Sequence, residues 1–199
     1  MTLDKKSPHH HGDLKNALVR AGLELLEKDG IDGLSLRKCA AKAGVSHAAP
    51  AHHFGNLAGL KSAIGIEVFT IFSKYMLEAS QREGESDIAR LKGICRGYVQ
   101  FGIDHKPWLD MMFGVAPIEV AKLRGDLGDS NAYQVLRDAC APFIPIGTAP
   151  NIVEFQVWSL VHGYTQLFLS GRLNQGTVAQ IDDGPFDQVM SMLDLLASS

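Results

Sequence analysis

The sequence predicts an all-α fold, and three observations carry that prediction. Apolar residues recur at helical spacing along most of the 199 residues. Strand-type alternation is nearly absent, and glycine and proline clusters separate the periodic stretches. The pattern divides the chain into a three-helix domain over residues 1–56 and a helical bundle over 57–199, about nine helices altogether.

The elements follow in order. Asp13 is placed to cap a first helix in which Leu14, Ala17, Leu18, Ala21 and Leu25 share a face, and Gly30 ends it. Ser35 caps a short second helix, Leu36 to Ala43, closed by Gly44. Ser46 caps a third, running to about His53. A fourth starts near Leu57 and continues through Ile64, Val68, Ile71, Tyr75 and Leu77 to a polar break at 81–86. Later helices are expected at 87–105, 107–123, 130–142, 151–170 and 185–197, separated by proline and glycine.

Composition narrows the function class. No segment has the apolar continuity of a secretory leader or membrane span: the stretch 152–169 is interrupted by Glu154, Gln156, His162 and Gln166. A cytoplasmic protein without a membrane partner is expected. The three cysteines, Cys39, Cys95 and Cys140, are an odd number without a CxxC pair, which argues against a disulfide framework or a zinc ribbon. No nucleophile elbow, phosphate-binding loop, HExxH or dinucleotide fingerprint occurs, and Cys39 with His52 and His53 lacks a second ligand pair. Neither catalysis nor a metal or cofactor is expected. Residues 1–56 hold 8 Lys/Arg against 6 Asp/Glu, and the remainder 11 against 16, so the first part is mildly basic. His9, His10 and His11 read as an arm near a polyanion or as a solvated tail.

The most informative stretch is 35–54, S-L-R-K-C-A-A-K-A-G-V-S-H-A-A-P-A-H-H-F. Two short helices meet at Ala43-Gly44-Val45-Ser46. Gly44 permits positive φ, Ala40 leaves room for the second helix, Val45 plugs the junction, and Ser46 is placed to cap. That is the frame of a helix-turn-helix, whose second helix enters the major groove of double-stranded DNA. An αα-corner in another kind of bundle has a similar frame. Ser35, Arg37 and Lys38 begin the second helix, where side chains and free N–H groups meet phosphates. Ser46, His47, Ala48, Ala49, His52 and His53 lie along the third, with the alanines suited to thymine methyls. Pro50 falls early in this helix and should shorten or tighten its start.

The stretches H-H-G-D-L-K-N-A-L (10–18), G-L-S-L-R-K-C-A-A-K-A-G-V-S (33–46) and H-H-F-G-N-L-A-G-L (52–60) resemble the DNA-binding domain of tetracycline-repressor (TetR) family regulators. The segment Trp158 to Gly163 is similar to a subgroup with a Trp-x-x-x-His-Gly signature in the ligand domain. The resemblance implies a homodimer, one small-molecule pocket per subunit, and repression of a palindromic operator relieved by an effector. Two departures from it stand out: Pro50 and Ala51 stand where the family commonly has a leucine-like residue and an aromatic that contacts phosphate, and Leu57 stands where members often have a lysine, with Lys61 as a partial substitute. Pro50 and Ala51 keep open a second reading, a helical small-molecule-binding protein without specific DNA binding.

The second part is rich in aromatics and methionine, which fill a core and line apolar pockets. Candidates for a largely apolar effector are Tyr98, Trp108, Met112, Phe113, Trp158, His162 and Gln166, with Asp104 as a further polar residue. His162 reads equally as a satisfied core histidine. The run Trp108 to Phe113 after Pro107 reads as a mobile reporter of effector binding, and Trp158 and Gly163 as packing residues. In the last helix Phe186, Val189, Met190, Leu193 and Leu196 form one stripe, with Met192 and Leu195 off it. The stretch 152–168 also has apolar residues on more than one face. Those surplus faces point to a homodimer through the last two helices.

Overall fold

The computed structural model describes residues 9–114, 132–173, 181 and 183–198, with side chains from Leu14 onward. Among the described residues there is no strand. The helices are α1 (His9–Asp29), α2 (Leu36–Lys42), α3 (Ala49–Phe54), α4 (Leu57–Glu83), α5 (Asp87–Asp104), α6 (Lys106–Gly114), α7 (Ala132–Cys140), α8 (Pro150–Leu169) and α9 (Asp183–Met190). Short 3-10 turns occupy Ile31–Gly33 and Ala141–Phe143, and a longer 3-10 stretch runs over Ser191–Ser198.

Local chemistry explains most boundaries. Gly30, at φ 68°, ends α1. The Ser35, Asn56 and Ser86 side chains accept backbone N–H bonds from Lys38 (3.1 Å), Gly59 (2.9 Å) and Ala89 (3.2 Å), capping α2, α4 and α5. α2 closes in a two-bond motif, with Gly44 N–H to Ala41 O at 3.2 Å and Val45 N–H to Ala40 O at 3.0 Å. Gly44 takes φ 68°, the left-handed conformation this closure needs.

Three boundaries differ from expectation, and a fourth falls outside the described residues. α1 starts at His9, so Asp13 lies inside the helix rather than capping it. The apolar face that marks this helix starts only at Leu14, so periodicity could not register the polar turn before it. Ser46 does not cap α3. Its carbonyl accepts the Ala49 N–H at 3.0 Å in a turn, and α3 begins at Ala49 with Ala48 at the cap. Pro50 sets this start: in the first helical turn its missing N–H costs nothing, whereas four residues after a Ser46 cap it would break a helix bond. The helix expected at 107–123 is described as far as Gly114, and 115–131 fall outside the described residues. The last helix changes to 3-10 after Met190. Met190, Leu193 and Leu196 recur every third residue, which suits three residues per turn.

One continuous core joins the two parts. Leu18, Leu26, Cys39, Leu60 and Ile64 form its N-terminal end, and Phe72, Phe101, Leu109, Val157 and Phe168 continue it. α4 and α5 lie very close because Gly93 and Gly97 face α4. A Cβ at Gly93 would lie 2.6 Å from Ser80 Cα, and one at Gly97 2.7 Å from Met76 Cα. Ion pairs hold the C-terminal segment to α5: Arg96 with Asp187 at 2.9 Å and Lys92 with Asp194 at 2.7 Å. Arg96 also sits 4.5 Å above the Phe186 ring.

Candidate nucleic-acid interface and effector site

α2 and α3 pack around Ala40, which is fully buried, with Val45 half-buried against the core. Arg37 and Lys38 are exposed at the start of α2, and the Ser35 hydroxyl is already engaged as its cap. Ser46, His47, Ala48, Ala51 and His52 are exposed on the turn and on α3. Ala49 and His53 are half-buried, and His53 meets His52 edge to face at 5.5 Å between ring centroids. The structure therefore brings together every sequence-predicted DNA-facing residue on the α2–α3 pair. The surface is small: α3 has only six residues, one of them a buried proline.

The second cluster forms between α5, α6 and α8. Tyr98 Oη lies 2.8 Å from His162 Nδ1. Burial pushes the His162 pKa below the ordinary histidine value, which keeps the ring neutral, and burial raises that of Tyr98. Phe113 from α6 stacks over this group, 4.6 Å from the His162 ring centroid and 6.1 Å from Trp158, while remaining 37% exposed. Met112, beside it in α6, is buried.

Two expected members of the cluster lie elsewhere. Gln166 is exposed: it follows His162 by one turn of α8, but each four-residue step turns the helix about 40° past a full turn, and that drift carries it to the outer side. Trp108 faces the other end of α6, where its ring stacks on His105 at 3.9 Å and 7°. Asp104 accepts from Tyr75 Oη at 3.0 Å and from Gln100, so it braces α4 against α5. Gly163 does not serve packing within the subunit, since nothing lies within 4 Å of where its Cβ would be.

Glu154 was read from the sequence only as an interruption of an apolar stretch, yet it is 3% exposed. It accepts the Tyr133 hydroxyl and lies 3.6 Å from Arg137 Nε. Its spacing from Trp158 and His162, four and eight residues, was the available signal that all three share a face of α8. The cysteines are buried, and burial raises the pKa of Cys95 and Cys140 to about 12, so these thiols stay protonated.

Outward faces remain apolar. Ile152, Phe155 and Leu167 on α8 are 43–48% exposed, and Met192 and Leu195 are 59% and 68% exposed. The opposite stripe of the C-terminal segment (Phe186, Met190, Leu193) is buried as expected. Among the described residues no group of His, Cys, Asp and Glu is arranged to hold a metal, and no helix is long and apolar enough to cross a membrane.

Comparison with known proteins agrees with this layout. Residues 18–64 match the family model described as bacterial regulatory proteins, tetR family. Tetracycline repressor protein class D from Escherichia coli is 33% identical over 72 residues, 36% of this chain and 33% of that protein. The chain thus spans about a third of the length of the curated relatives it matches. A protein of unknown function from Rhodococcus sp. RHA1 superposes with TM-score 0.73 at 29% identity, covering 94% of this chain and 98% of that one. The transcriptional regulator FadR from Bacillus subtilis superposes with TM-score 0.67 at 12% identity over 89% and 96% of the two chains, a likeness of fold alone. Residues 18–64 are thus similar to the tetR family, and the chain as a whole shares its fold with the solved structures.

Proposed function

We propose that this chain is a ligand-responsive transcription regulator of the TetR family, acting in the cytoplasm as a homodimeric repressor of a palindromic operator. The observation that carries the reading is the α2–turn–α3 unit. Its Ser35 cap and Gly44 closure have helix-turn-helix geometry, and it lies inside the stretch that matches the family. Residues 1–56 would read DNA. Arg37 and Lys38 would meet phosphates, Ser35 would present the start of α2, and the segment Ser46 to Ala49 with His52 and His53 would approach the bases. With few long polar side chains on α3, shape and apolar contact would contribute much of the discrimination, and two subunits would be needed for specificity.

Residues 57–199 would bind the effector and form the dimer. The Tyr98–Trp158–His162 cluster under Phe113 and Met112 supports a small, largely apolar effector with one hydrogen-bonding group. FadR, which shares the fold, is solved with stearoyl-CoA, in keeping with an apolar effector. The Trp158 to Gly163 segment supports placement in the Trp-x-x-x-His-Gly subgroup. The apolar outer face of α8, with Met192 and Leu195, supports a two-fold interface through the last two helical segments. Gel-shift titration with the DNA upstream of the protein's own gene tests the reading, which expects retarded complexes resistant to competitor DNA. Affinity no greater than for random DNA would favour a helical ligand-binding protein without specific DNA binding.

A further inference from the structure

An open groove of about 440 Å³ lies where α1 meets the α5–α6 junction, away from the Tyr98–His162 cluster. The stacked His105 and Trp108 rings line it together with Leu23. The charges around it are unbalanced. Both carboxylates are committed: Glu24 to Lys42 Nζ at 2.6 Å and Glu27 to His105 Nδ1 at 3.1 Å. Arg20 and Lys28 also line the groove, and neither has an ion-pair partner among the described residues. They stand two turns apart on α1, about 12 Å along its axis.

We propose that this groove is a second ligand site, taking a small planar aromatic anion such as an aromatic carboxylate. The ring lies against Trp108 and Leu23, and the carboxylate reaches Arg20 or Lys28. The volume is within the range of small-molecule sites. An anion is selected because three cations line the groove, Arg20, Lys28 and Lys42, against two carboxylates, Glu24 and Glu27, and a cationic ring would meet that excess positive charge. Such a ligand touches both α1, which supports the helix-turn-helix, and α6, whose other end carries Phe113 of the effector cluster. The proposal goes beyond the regulatory reading and does not depend on it, since binding is measurable without DNA.

The test uses 2-naphthoate on the full chain, followed by the indole N–H resonances of the two tryptophans, with Trp108→Phe to assign them. One tryptophan lies in each site, so the spectrum locates the ligand. Naphthoate is expected to move the Trp108 resonance and leave that of Trp158 in place. Neutral 2-naphthylmethanol and cationic 2-naphthylmethylammonium are expected to bind at least several-fold more weakly. Both cations are exposed, so Arg20→Ser with Lys28→Ser should leave the fold intact while weakening naphthoate by about fivefold, as for the loss of one exposed ion pair. Tyr98→Phe should leave naphthoate affinity unchanged. Movement of Trp158 instead, equal binding of the three probes, indifference to the double substitution, or no binding at millimolar naphthoate would each overturn the proposal. A double variant that lowers the salt dependence of operator binding without affecting naphthoate would assign the two cations to phosphates instead, leaving the regulatory reading in place.

Discussion

Ser35 and His162 show how differently single residues can act. Ser35 holds a backbone N–H at the start of α2, so Ser35→Ala should cost about 1 kcal/mol of stability in denaturant unfolding, and Ser35→Asp should recover most of it. Unchanged stability in the alanine variant would show that the cap is idle. His162 stores a pH dependence. Its folded-state pKa lies below the ordinary histidine value, so below pH ~6.5 the unfolded chain binds more protons than the folded one. Stability contributed by the neutral ring is present above that pH and is lost as pH falls. His162→Gln should therefore flatten the acid side of the stability profile, and parallel profiles would contradict the assignment. The cap was legible in the sequence because donor and acceptor lie three residues apart. The Tyr98–His162 bond spans 64 residues and the Glu27–His105 contact 78, so no local pattern could reveal those pairings.

Elements join where small residues let them. Gly97→Ala on α5 would press a methyl group onto the α4 backbone, which cannot yield as a side-chain tip can, and should destabilise by about 1–3 kcal/mol. Gly163→Ala on α8 meets open space within the subunit and should leave monomer stability the same or slightly higher through helix propensity. Thermal unfolding of both variants checks the contrast; equal losses would contradict it. Helix existence followed from apolar spacing, and the double-faced character of the C-terminal segment did too: Met190 and Leu193 are buried while Met192 and Leu195 are exposed. Element ends were less legible. Ser46 looks like a cap by residue type, but Pro50 governs where α3 can begin, and competition between neighbouring signals is settled only by backbone geometry. Gly93 and Gly97 read as weak helix formers, whereas their role is a close approach to a helix that the sequence does not place beside them.

At the scale of the molecule, the helices proposed to face DNA, an aromatic–histidine cluster and an apolar outer face lie at three separate places on one core. Phe155→Glu with Leu195→Glu should shift the chain to monomers in sedimentation and weaken operator binding, since half-sites are held in register only by a dimer. Persistence of dimers would move the interface elsewhere. The α2–turn–α3 corner was legible because Gly44 and the short flanking helices form a local signal. Of the residues proposed for an effector, Tyr98, Phe113, Trp158 and His162 come together, while Trp108 and Gln166 point away through helix rotation that composition does not encode. The central claim is that this surface grips DNA through phosphates as well as bases. It is tested most directly by titrating DNA selected from a random pool at increasing salt. The account predicts that log affinity falls with log salt at a slope steeper than about −3, as several phosphate contacts across a dimer require. A slope near zero, or no sequence enriched in the selection, would contradict it.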